Sequence, residues 1–314
     1  MLTVTIIAIA VLLLAWLAAG FFALRLAMRR CRRAQCFLAG HGRFFDWIEP
    51  IRPQIKAGVA RIRTEQHERC TLKASDGTAL AADYYPRENA HGIVIAFHGY
   101  ASCPENDFCC ALGEYLDAGW AVLLVNERAC GDSGGQYMTL GVREREDALL
   151  WAEKTAGEHP DLPIVLAGVS MGATTVLTAT ELSLPANVRG IIADCGFESP
   201  RSILLDQAKS RYGMLAPVLV LGADFWARVL LGFSLNAIST VRAMKKCRLP
   251  VLFMHGSADT FVSPEYTLRA YDACISTDKR FVSVPGAPHV ACVPMGGDAV
   301  KNEIFEFLRR VGSD

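Results

Sequence analysis

The sequence lacks an excess of charge of either sign. Its 314 residues include 32 Lys and Arg and 32 Asp and Glu, so the formal net charge is zero and the isoelectric point is about 7.0. Nucleic-acid-binding proteins need a basic surface, and this composition produces no overall positive field. We therefore expect no nucleic-acid partner. Charged residues are 20% of the chain against 52% hydrophobic residues, which excludes a disordered polymer and predicts a large buried core.

Paired cysteine spacings are also missing. The eleven cysteines are odd in number and none forms a C-x-x-C pair, so a disulfide framework is not indicated. His and Cys residues do not have the spacing of zinc ligands, and we expect no metal site. Scattered cysteines of this kind are typical of small buried side chains in a reducing compartment, which favours the cytosolic side.

The N-terminal segment, residues 2–24, contains no charged side chain. A helix of this length, at about 1.5 Å per residue, spans roughly 35 Å and is slightly longer than a bilayer's hydrocarbon core is thick. Five arginines between Arg25 and Arg33 follow the apolar run, whereas a secretory signal peptide has its positive charge before it. We predict a single transmembrane anchor with the rest of the chain in the cytoplasm. A buried core helix and a cleaved signal are the alternatives.

Residues 31–68 form the next segment and show no clean strand period. The segment contains aromatic, basic and proline-containing stretches, and we interpret it as a juxtamembrane connector. Phe44 and Trp47 in this segment either anchor at the membrane interface or pack on the domain that follows.

From residue 69 onward, short strand-like runs alternate with helical stretches. This alternation predicts an α/β fold with a mostly parallel sheet and helices on both of its faces. The runs at 92–97 and 163–167 are continuously apolar, as in strands that are covered on both sides. The eight predicted strands are 70–74, 79–85, 92–97, 121–125, 163–168, 190–194, 251–255 and 280–284.

The region from about 197 to 247 interrupts this alternation with largely helical residues. Its apolar run from 214 to 222 suggests a second membrane span, but Pro217, Asp224 and Arg228 interrupt the run before it reaches about 18 residues. We therefore interpret the region as a helical cap inserted over the sheet.

The most informative motif is Gly168-Val169-Ser170-Met171-Gly172. It follows an apolar strand and precedes a helical run, as expected for a tight strand-to-helix turn that exposes a nucleophile. Gly168 and Gly172 allow the strand and the helix to approach each other closely. We predict that Ser170 is the nucleophile.

A serine nucleophile needs a general base and an acidic residue that orients the base. Asp259 and His289 follow the next two predicted strands, so they lie on the edge of the sheet where α/β proteins build their sites. The order Ser, Asp, His is the one this architecture requires. Asp194 is the alternative acid. We interpret His255 as a hydrogen-bonded neighbour of the acid loop.

The oxyanion formed during such a reaction needs two backbone donors. The N–H group of Met171 follows the nucleophile directly, and that of Tyr100 is the natural second donor. Gly99 allows close approach, and we expect His98 to have a structural, supporting role. The glycine-containing loop Arg128–Gly135 lacks the lysine of a P-loop and is expected to brace the site.

These residues together resemble the α/β-hydrolase superfamily and, more narrowly, bacterial membrane-anchored members of the serine aminopeptidase-like (Hydrolase_4) group. The resemblance covers about residues 70–308. It implies an eight-stranded, mostly parallel sheet, a cap after the sixth strand, no cofactor, and hydrolysis of carboxylic esters or related acyl compounds. The segments that carry it are His98-Gly99, Arg128–Gly135, Gly168–Gly172, Pro250–Gly256, Asp259–Val262 and His289.

The predicted organisation is a transmembrane anchor with its basic flank at 1–30, a connector at 31–68 and a hydrolase domain at 69–314. The predicted function is that of a serine hydrolase, specifically a carboxylesterase or lipase-like enzyme acting on a small hydrophobic or lipid-like ester. One alternative is a serine peptidase or amidase, because the same triad cleaves amides. The alternative from another class is a membrane-tethered binding module without turnover.

Overall fold

The computed structural model describes residues 1–30, 49 and 51–313. Its centre is an eight-stranded sheet. The strand order is β1-β2-β4-β3-β5-β6-β7-β8, and β2 runs in the opposite direction to the other seven strands. All eight predicted strands are present, with ends that differ by at most two residues. The strands are β1 Glu68–Lys73, β2 Ala79–Tyr85, β3 Ile93–Phe97, β4 Ala121–Asn126, β5 Ile164–Val169, β6 Val188–Asp194, β7 Val251–Gly256 and β8 Lys279–Val284.

Ten α-helices accompany these strands in the described residues. They are α1 Leu2–Met28, α2 Arg52–Ile62, α3 Pro104–Asp117, α4 Glu144–Glu158, α5 Met171–Ala179, α6 Pro200–Tyr212, α7 Ala216–Trp226, α8 Thr240–Met244, α9 Pro264–Ala273 and α10 Cys292–Gly312. Helix α10 is kinked at Gly297, whose φ is 53°. Helices α3, α4, α5, α9 and α10 lie between or after the strands of the hydrolase domain, in the alternation that the sequence predicts.

Two hydrophobic layers cover the sheet. Alternate residues of β3 illustrate the division: Val94 and Ala96 face the layer that holds α2, α3 and α10, whereas Ile95 faces the layer that holds α4, α5, α8 and α9. Because side chains alternate across a strand, a central strand with a core on both faces must be apolar throughout. This explains the continuous apolar runs of β3 and β5.

Residues 197–247 are largely helical, as predicted, and they follow β6. Helix α6 leads through a 3-10 turn at Gly213–Leu215 into α7, which continues as a π-helix at Ala227–Leu231. Pro217 lies in the first turn of α7, where a proline's missing N–H costs nothing, so it does not break this helix. The stretch Pro200–Leu231 is long and apolar enough to cross a membrane, but 39% of its most apolar part is buried in the protein.

The N-terminal helix α1 is also long and apolar enough to cross a membrane. Its second half is not separate from the rest of the molecule, because Gly20, Leu24 and Met28 are buried, with Leu24 and Met28 in the same apolar cluster as α7. A Cβ atom on Gly20 would lie 2.5 Å from the backbone of Gly222, so only glycine permits this crossing. The second half of α1 therefore packs on the cap, a contact that the prediction of an anchor did not include.

Part of the predicted connector belongs to the domain. Ile55 and Val59 of α2 are buried against α3 in one of the two layers over the sheet. Residues 31–48, which include Phe44 and Trp47, lie outside the described residues, so the prediction of membrane anchors there has no structural counterpart.

Candidate active site

The turn between β5 and α5 carries Ser170 in a strained backbone conformation. Its φ is 55° and its ψ is −110°, a region that side-chain-bearing residues rarely adopt. The flanking glycines make this turn feasible. A Cβ atom on Gly172 would lie 1.9 Å from the carbonyl oxygen of Phe97, and one on Gly168 would lie 2.2 Å from the carbonyl carbon of Gly172. The motif therefore adopts the tight turn expected from its sequence.

Ser170, His289 and Asp259 lie in hydrogen-bonding contact. His289 Nε2 is 2.9 Å from Ser170 Oγ, and His289 Nδ1 is 2.6 Å from Asp259 Oδ2. Because a carboxylate only accepts hydrogen bonds, Nδ1 carries the proton and Nε2 accepts from the serine hydroxyl. All three side chains are buried, and Ser170 also lines a pocket. This arrangement can transfer the proton of the serine hydroxyl to the imidazole.

The carboxylate of Asp259 is strongly stabilised. Burial opposes its ionisation, but hydrogen bonds from His255 and His289 outweigh burial and hold the pKa of Asp259 well below its usual range. The other oxygen, Oδ1, accepts from the N–H groups of Phe261 and Val262 at 2.9 Å each. Asp259 is therefore ionised throughout the neutral pH range.

His255 is the second histidine on Asp259, as its position beside the acid loop suggested. Its Nε2 lies 3.0 Å from Asp259 Oδ2 and 3.0 Å from the carbonyl oxygen of Val262. Both partners are acceptors, so Nε2 carries the proton, and the hydroxyl of Thr267 lies 2.7 Å from Nδ1. His255 thus gives Oδ2 of Asp259 a second hydrogen bond besides the one from His289.

Asp194, the alternative acid, has a different environment. Its backbone carbonyl accepts from the N–H of Ser170 at 2.8 Å. Its carboxyl group is buried beside the thiols of Cys292 and Cys195, and burial raises its pKa. The group that contacts Nδ1 of His289 is Asp259, so the geometry favours Asp259 over Asp194 as the orienting acid.

The loop after β3 lies against the serine. A Cβ atom on Gly99 would lie 3.2 Å from the Cβ atom of Ser170, and the next residue, Tyr100, lines the same pocket. Met171 is the first residue of α5, so its N–H has no partner within the helix. The predicted oxyanion donors, Tyr100 and Met171, therefore belong to segments on either side of Ser170.

His98 braces this loop as a neutral side chain. Its Nδ1 is 2.7 Å from the carbonyl oxygen of Gly99, and its Nε2 accepts from the N–H of Glu127 at 3.1 Å. Burial lowers the pKa of His98 to about 4. A proton on both nitrogens would break the contact with Glu127 N–H, so the neutral form joins the ends of β3 and β4.

Asp107 is a supporting residue that the sequence analysis missed. Its Oδ2 accepts from the N–H of Gly99 at 2.6 Å, and its Oδ1 accepts from the hydroxyl of Ser102 at 2.6 Å. Burial raises the pKa of Asp107 to about 6, against the opposing effect of these hydrogen bonds. Its position in the first turn of α3, directly after the loop, was the available signal.

The loop Arg128–Gly135 is held by charge and by backbone contacts. The guanidinium group of Arg128 donates to both carboxylate oxygens of Asp147, at 2.7 and 2.6 Å. From outside, Arg30 at the end of α1 donates to the carbonyl oxygens of Ser133 and Gly131, each at 2.7 Å. The loop thus links helix α4 to the residues that directly follow the N-terminal helix.

The pocket above Ser170 is about 330 Å³ in volume, within the range of small-molecule sites. Its walls come from the loop after β3, the cap and helix α1, and they are mainly apolar. The α1 residues in the wall were not predicted, since residues 1–30 were expected to form an anchor outside the hydrolase domain. Helix α1 contributes Ala23, Leu26 and Ala27 to the lining of the pocket, and helix α7 contributes Leu219, Val220 and Ala223.

One group among the described residues has metal-ligand atoms close together: Cys195, Asp259 and His289, within 4.8 Å of one another. Burial raises the pKa of the Cys195 thiol well above its usual range, so this side chain offers no thiolate. The other two are engaged with each other and with Ser170. The residues of the site fit a hydrogen-bonded relay and do not fit a metal centre.

One family model and two bacterial relatives match this sequence over more than half of its length. The model of the family described as serine aminopeptidase, S33 (Hydrolase_4) matches residues 88–204 and 201–292. YqkD from Bacillus subtilis (strain 168) is 30% identical over 196 residues, which are 62% of this chain and 64% of YqkD. YfhR from Escherichia coli O157:H7 is 22% identical over 248 residues, covering 77% and 80% of the two chains. The chain thus spans somewhat less than two thirds of the length of YqkD.

Solved structures with the same architecture include the esterase Pf2001 and the protein Est1E. The Pyrococcus furiosus esterase Pf2001 aligns with a TM-score of 0.63 and 20% identity, covering 80% of this chain and 93% of its own. Est1E from Butyrivibrio proteoclasticus, determined with bound ferulic acid, aligns with a TM-score of 0.57 and 18% identity, covering 76% and 99%. At this level of identity the comparisons show the fold, which is that of the α/β hydrolases.

Proposed function

The chain belongs to the serine aminopeptidase S33 family of hydrolases, and we propose that it is a serine acyl hydrolase that cleaves carboxylic esters with hydrophobic acyl groups. The observation that carries the proposal is the continuous contact from Ser170 through His289 to Asp259, with the serine on a strained turn. Such contacts are the geometric signature of an activated serine.

In the proposed reaction, Ser170 Oγ attacks the ester carbonyl carbon while His289 Nε2 takes the hydroxyl proton. The carbonyl oxygen becomes an oxyanion, which the N–H groups of Tyr100 and Met171 stabilise. The tetrahedral intermediate then breaks the bond to the alcohol, and His289 returns the proton to that leaving group. Water, deprotonated by the same imidazole, releases the acid from the acyl-enzyme.

Asp259 orients His289 and stabilises the imidazolium that forms when the imidazole takes the proton. Its lowered pKa keeps it ionised while His289 is charged. The apolar wall of the pocket supports a hydrophobic acyl group, since burying such a group there removes it from water. We therefore place the protein with carboxylic ester hydrolases and expect no cofactor.

Fluorophosphonate labelling of the detergent-solubilised protein tests the proposal directly. The label should attach to the native protein and be lost in Ser170→Ala. The matched control is Ser183→Ala, which removes an exposed hydroxyl between α5 and β6 and should leave labelling intact. A p-nitrophenyl ester series of increasing acyl length then measures the pocket. A folded native protein that does not label would overturn the proposal and favour the binding module.

A serine peptidase or amidase is the second candidate, and the name of the family favours it. The same nucleophile and base cleave amides, so the triad alone does not choose between the two bonds. Aminoacyl arylamides and aryl esters should be compared as substrates of the same preparation. A higher kcat/KM for arylamides would assign the protein to this second class.

We propose that α1 is a single-pass membrane anchor and that the hydrolase domain, from residue 69 onward, lies in the cytoplasm. The arginine-rich flank after the apolar segment supports this orientation. In right-side-out membranes, the C-terminal domain should be protected from added protease. Its digestion in intact membranes would reverse the orientation, and release of a shortened soluble form would indicate a cleaved signal.

A further inference from the structure

Helix α7 carries a row of exposed apolar side chains along its outer surface. Val218, Leu221 and Phe225 recur at intervals of three and four residues, so they share one face of the helix. The row begins at Met214, which is 95% exposed, and continues to Val229 in the π-helix. We call this row the outer face of α7. A water-exposed surface of this kind is unfavourable, so it calls for an apolar partner.

The outer face of α7 adjoins α1, and the contacts between these helices include two hydrogen bonds and a glycine crossing. Trp16 Nε1 donates to the carbonyl oxygen of Val218 at 2.9 Å, and Trp226 Nε1 donates to that of Leu17 at 2.7 Å. Between them, the Gly20 and Gly222 backbones pack in direct contact. Small residues at a helix crossing and tryptophan donors to backbone carbonyls both suit an apolar surrounding, where polar groups need internal partners.

The position of these contacts along α1 sets the depth of α7. The uncharged run ends at Leu24, and half of a hydrocarbon core is about 15 Å, or roughly ten residues of helix. Trp16 to Leu24 therefore lies in the leaflet next to the basic flank whenever α1 spans the membrane. A helix that contacts Trp16, Leu17 and Gly20 lies in that same leaflet.

The pocket above Ser170 lies between the same two helices. Ala23, Leu26 and Ala27 of α1 face it from one side, and Leu219, Val220 and Ala223 of α7 line it from the other. The α1 residues in the wall thus lie where the uncharged run ends and the basic flank begins, at the boundary between the hydrocarbon and the headgroups.

We propose that α7 is embedded in the leaflet that surrounds the second half of α1, and that the pocket opens between these helices into the lipid hydrocarbon. The substrate is then an ester lipid of that leaflet, whose acyl chain enters sideways from the bilayer and reaches Ser170 without crossing water. This substrate assignment rests on the proposed esterase function, whereas the seating of α7 does not.

Lipid photolabelling tests the seating of α7 on the full chain. The protein is placed in phosphatidylcholine vesicles that carry a diazirine at the end of the acyl chain, and the adducts are mapped by mass spectrometry. Adducts are expected in α1 and along the outer face of α7, in the native protein and in Ser170→Ala alike. Adducts confined to α1 would overturn the proposal. Because labelling needs no turnover, it is independent of the esterase assignment.

A charge on the outer face of α7 tests the entry of substrate. Leu221→Asp places a carboxylate on that face, and Ile275→Asp is the matched control at an apolar residue of similar exposure, 46% against 52% for Leu221. Leu221→Asp should lower hydrolysis of a long-chain ester in vesicles by roughly tenfold or more, because a carboxylate is strongly disfavoured in hydrocarbon. Hydrolysis of soluble p-nitrophenyl acetate should stay within about twofold. Equal loss on both substrates would contradict leaflet entry.

A bulky residue on α1 tests whether the anchor is a wall of the pocket. Ala27→Trp should shorten the preferred acyl chain, because the indole ring occupies part of the apolar volume. Ala18→Trp is the matched control on the exposed side of the same helix. An unchanged chain-length profile in Ala27→Trp would show that α1 is only an anchor. Failure of the native protein to cleave any ester would reject the proposed function instead.

Discussion

His255 Nε2 lies 3.0 Å from Oδ2 of Asp259, the same oxygen that His289 contacts. His255 does not reach the serine, so its effect on catalysis acts through the position of the carboxylate. A hydrogen bond to a charged group contributes about 1.5 to 3 kcal/mol, which corresponds to roughly ten- to a hundredfold in rate. We expect His255→Leu to lower kcat by this factor with little change in KM.

The variant His255→Gln separates positioning from a general loss of structure. Its side-chain amide can donate to Asp259, so it should recover a large part of the activity lost in His255→Leu. Steady-state kinetics and circular-dichroism melting of both variants provide the measurement. Equal kcat values in the two variants at equal thermal stability would show that the contact with Asp259 is irrelevant.

The orienting acid can be identified by two amide substitutions. Asp259→Asn removes the acceptor that holds Nδ1 of His289 protonated, so kcat should fall by on the order of 10³ to 10⁴. Asp194→Asn should have a much smaller effect, since Asp194 supports Ser170 through its backbone carbonyl, which the substitution retains. The rates on p-nitrophenyl butyrate give the comparison. The reverse order of the two losses would make Asp194 the orienting acid.

Protonation of Asp107 should appear in the pH profile. Its pKa of about 6 means that it loses its charge as the pH falls through 6, and the charged hydrogen bonds to Gly99 and Ser102 weaken. The loop that carries Tyr100 then loosens, so kcat/KM should fall on the acid side. Asp107→Asn should remove the ionisation near pH 6 from the profile, with lower activity at pH 8.

The contribution of Asp107 to the stability of the fold should change with pH in the direction opposite to its effect on activity. The folded-state pKa of about 6 lies above the ordinary value of 3.8, so the folded protein binds more protons than the unfolded chain between these values. The contribution of this group to the free energy of unfolding therefore falls as the pH rises through that window. Thermal melts at pH 4.5 and 6.5 should show this contribution in the native protein and its absence in Asp107→Asn. If the pH profile of kcat/KM has the same shape in Asp107→Asn as in the native protein, this carboxyl group does not cause the loss of activity at acid pH.

The contact between α1 and α7 depends on Gly20. A larger side chain there has no space beside Gly222, so Gly20→Leu should separate the helices and disturb the pocket wall. Ala18→Leu, on the exposed side of α1, is the control that introduces the same final side chain. Melting temperatures in detergent and activity on a long-chain ester should fall in Gly20→Leu alone. Equal behaviour of the two variants would indicate that α1 does not pack on the cap.

Much of the site followed from local sequence signals. Gly168 and Gly172 around Ser170 specify a tight turn because no side chain fits between Gly168 and the backbone of Gly172, or between Gly172 and Phe97. The positions of Asp259 and His289 after successive strands were informative because parallel strands end on one edge of the sheet. Asp107 was missed because its role depends on how α3 is oriented toward Gly99, which no spacing within the chain reveals.

The sequence by itself determined the eight strands, the strand-to-helix turn at Ser170 and the apolar character of α1, because periodicity, glycine placement and charge are local properties. Only the tertiary structure decided that α1 packs on α7 and forms a wall of the pocket. That contact joins Gly20 to Gly222, residues far apart in the chain, and it depends on close approach of two backbones. Hydropathy alone shows that such a helix is apolar and does not indicate which of its faces contacts the protein.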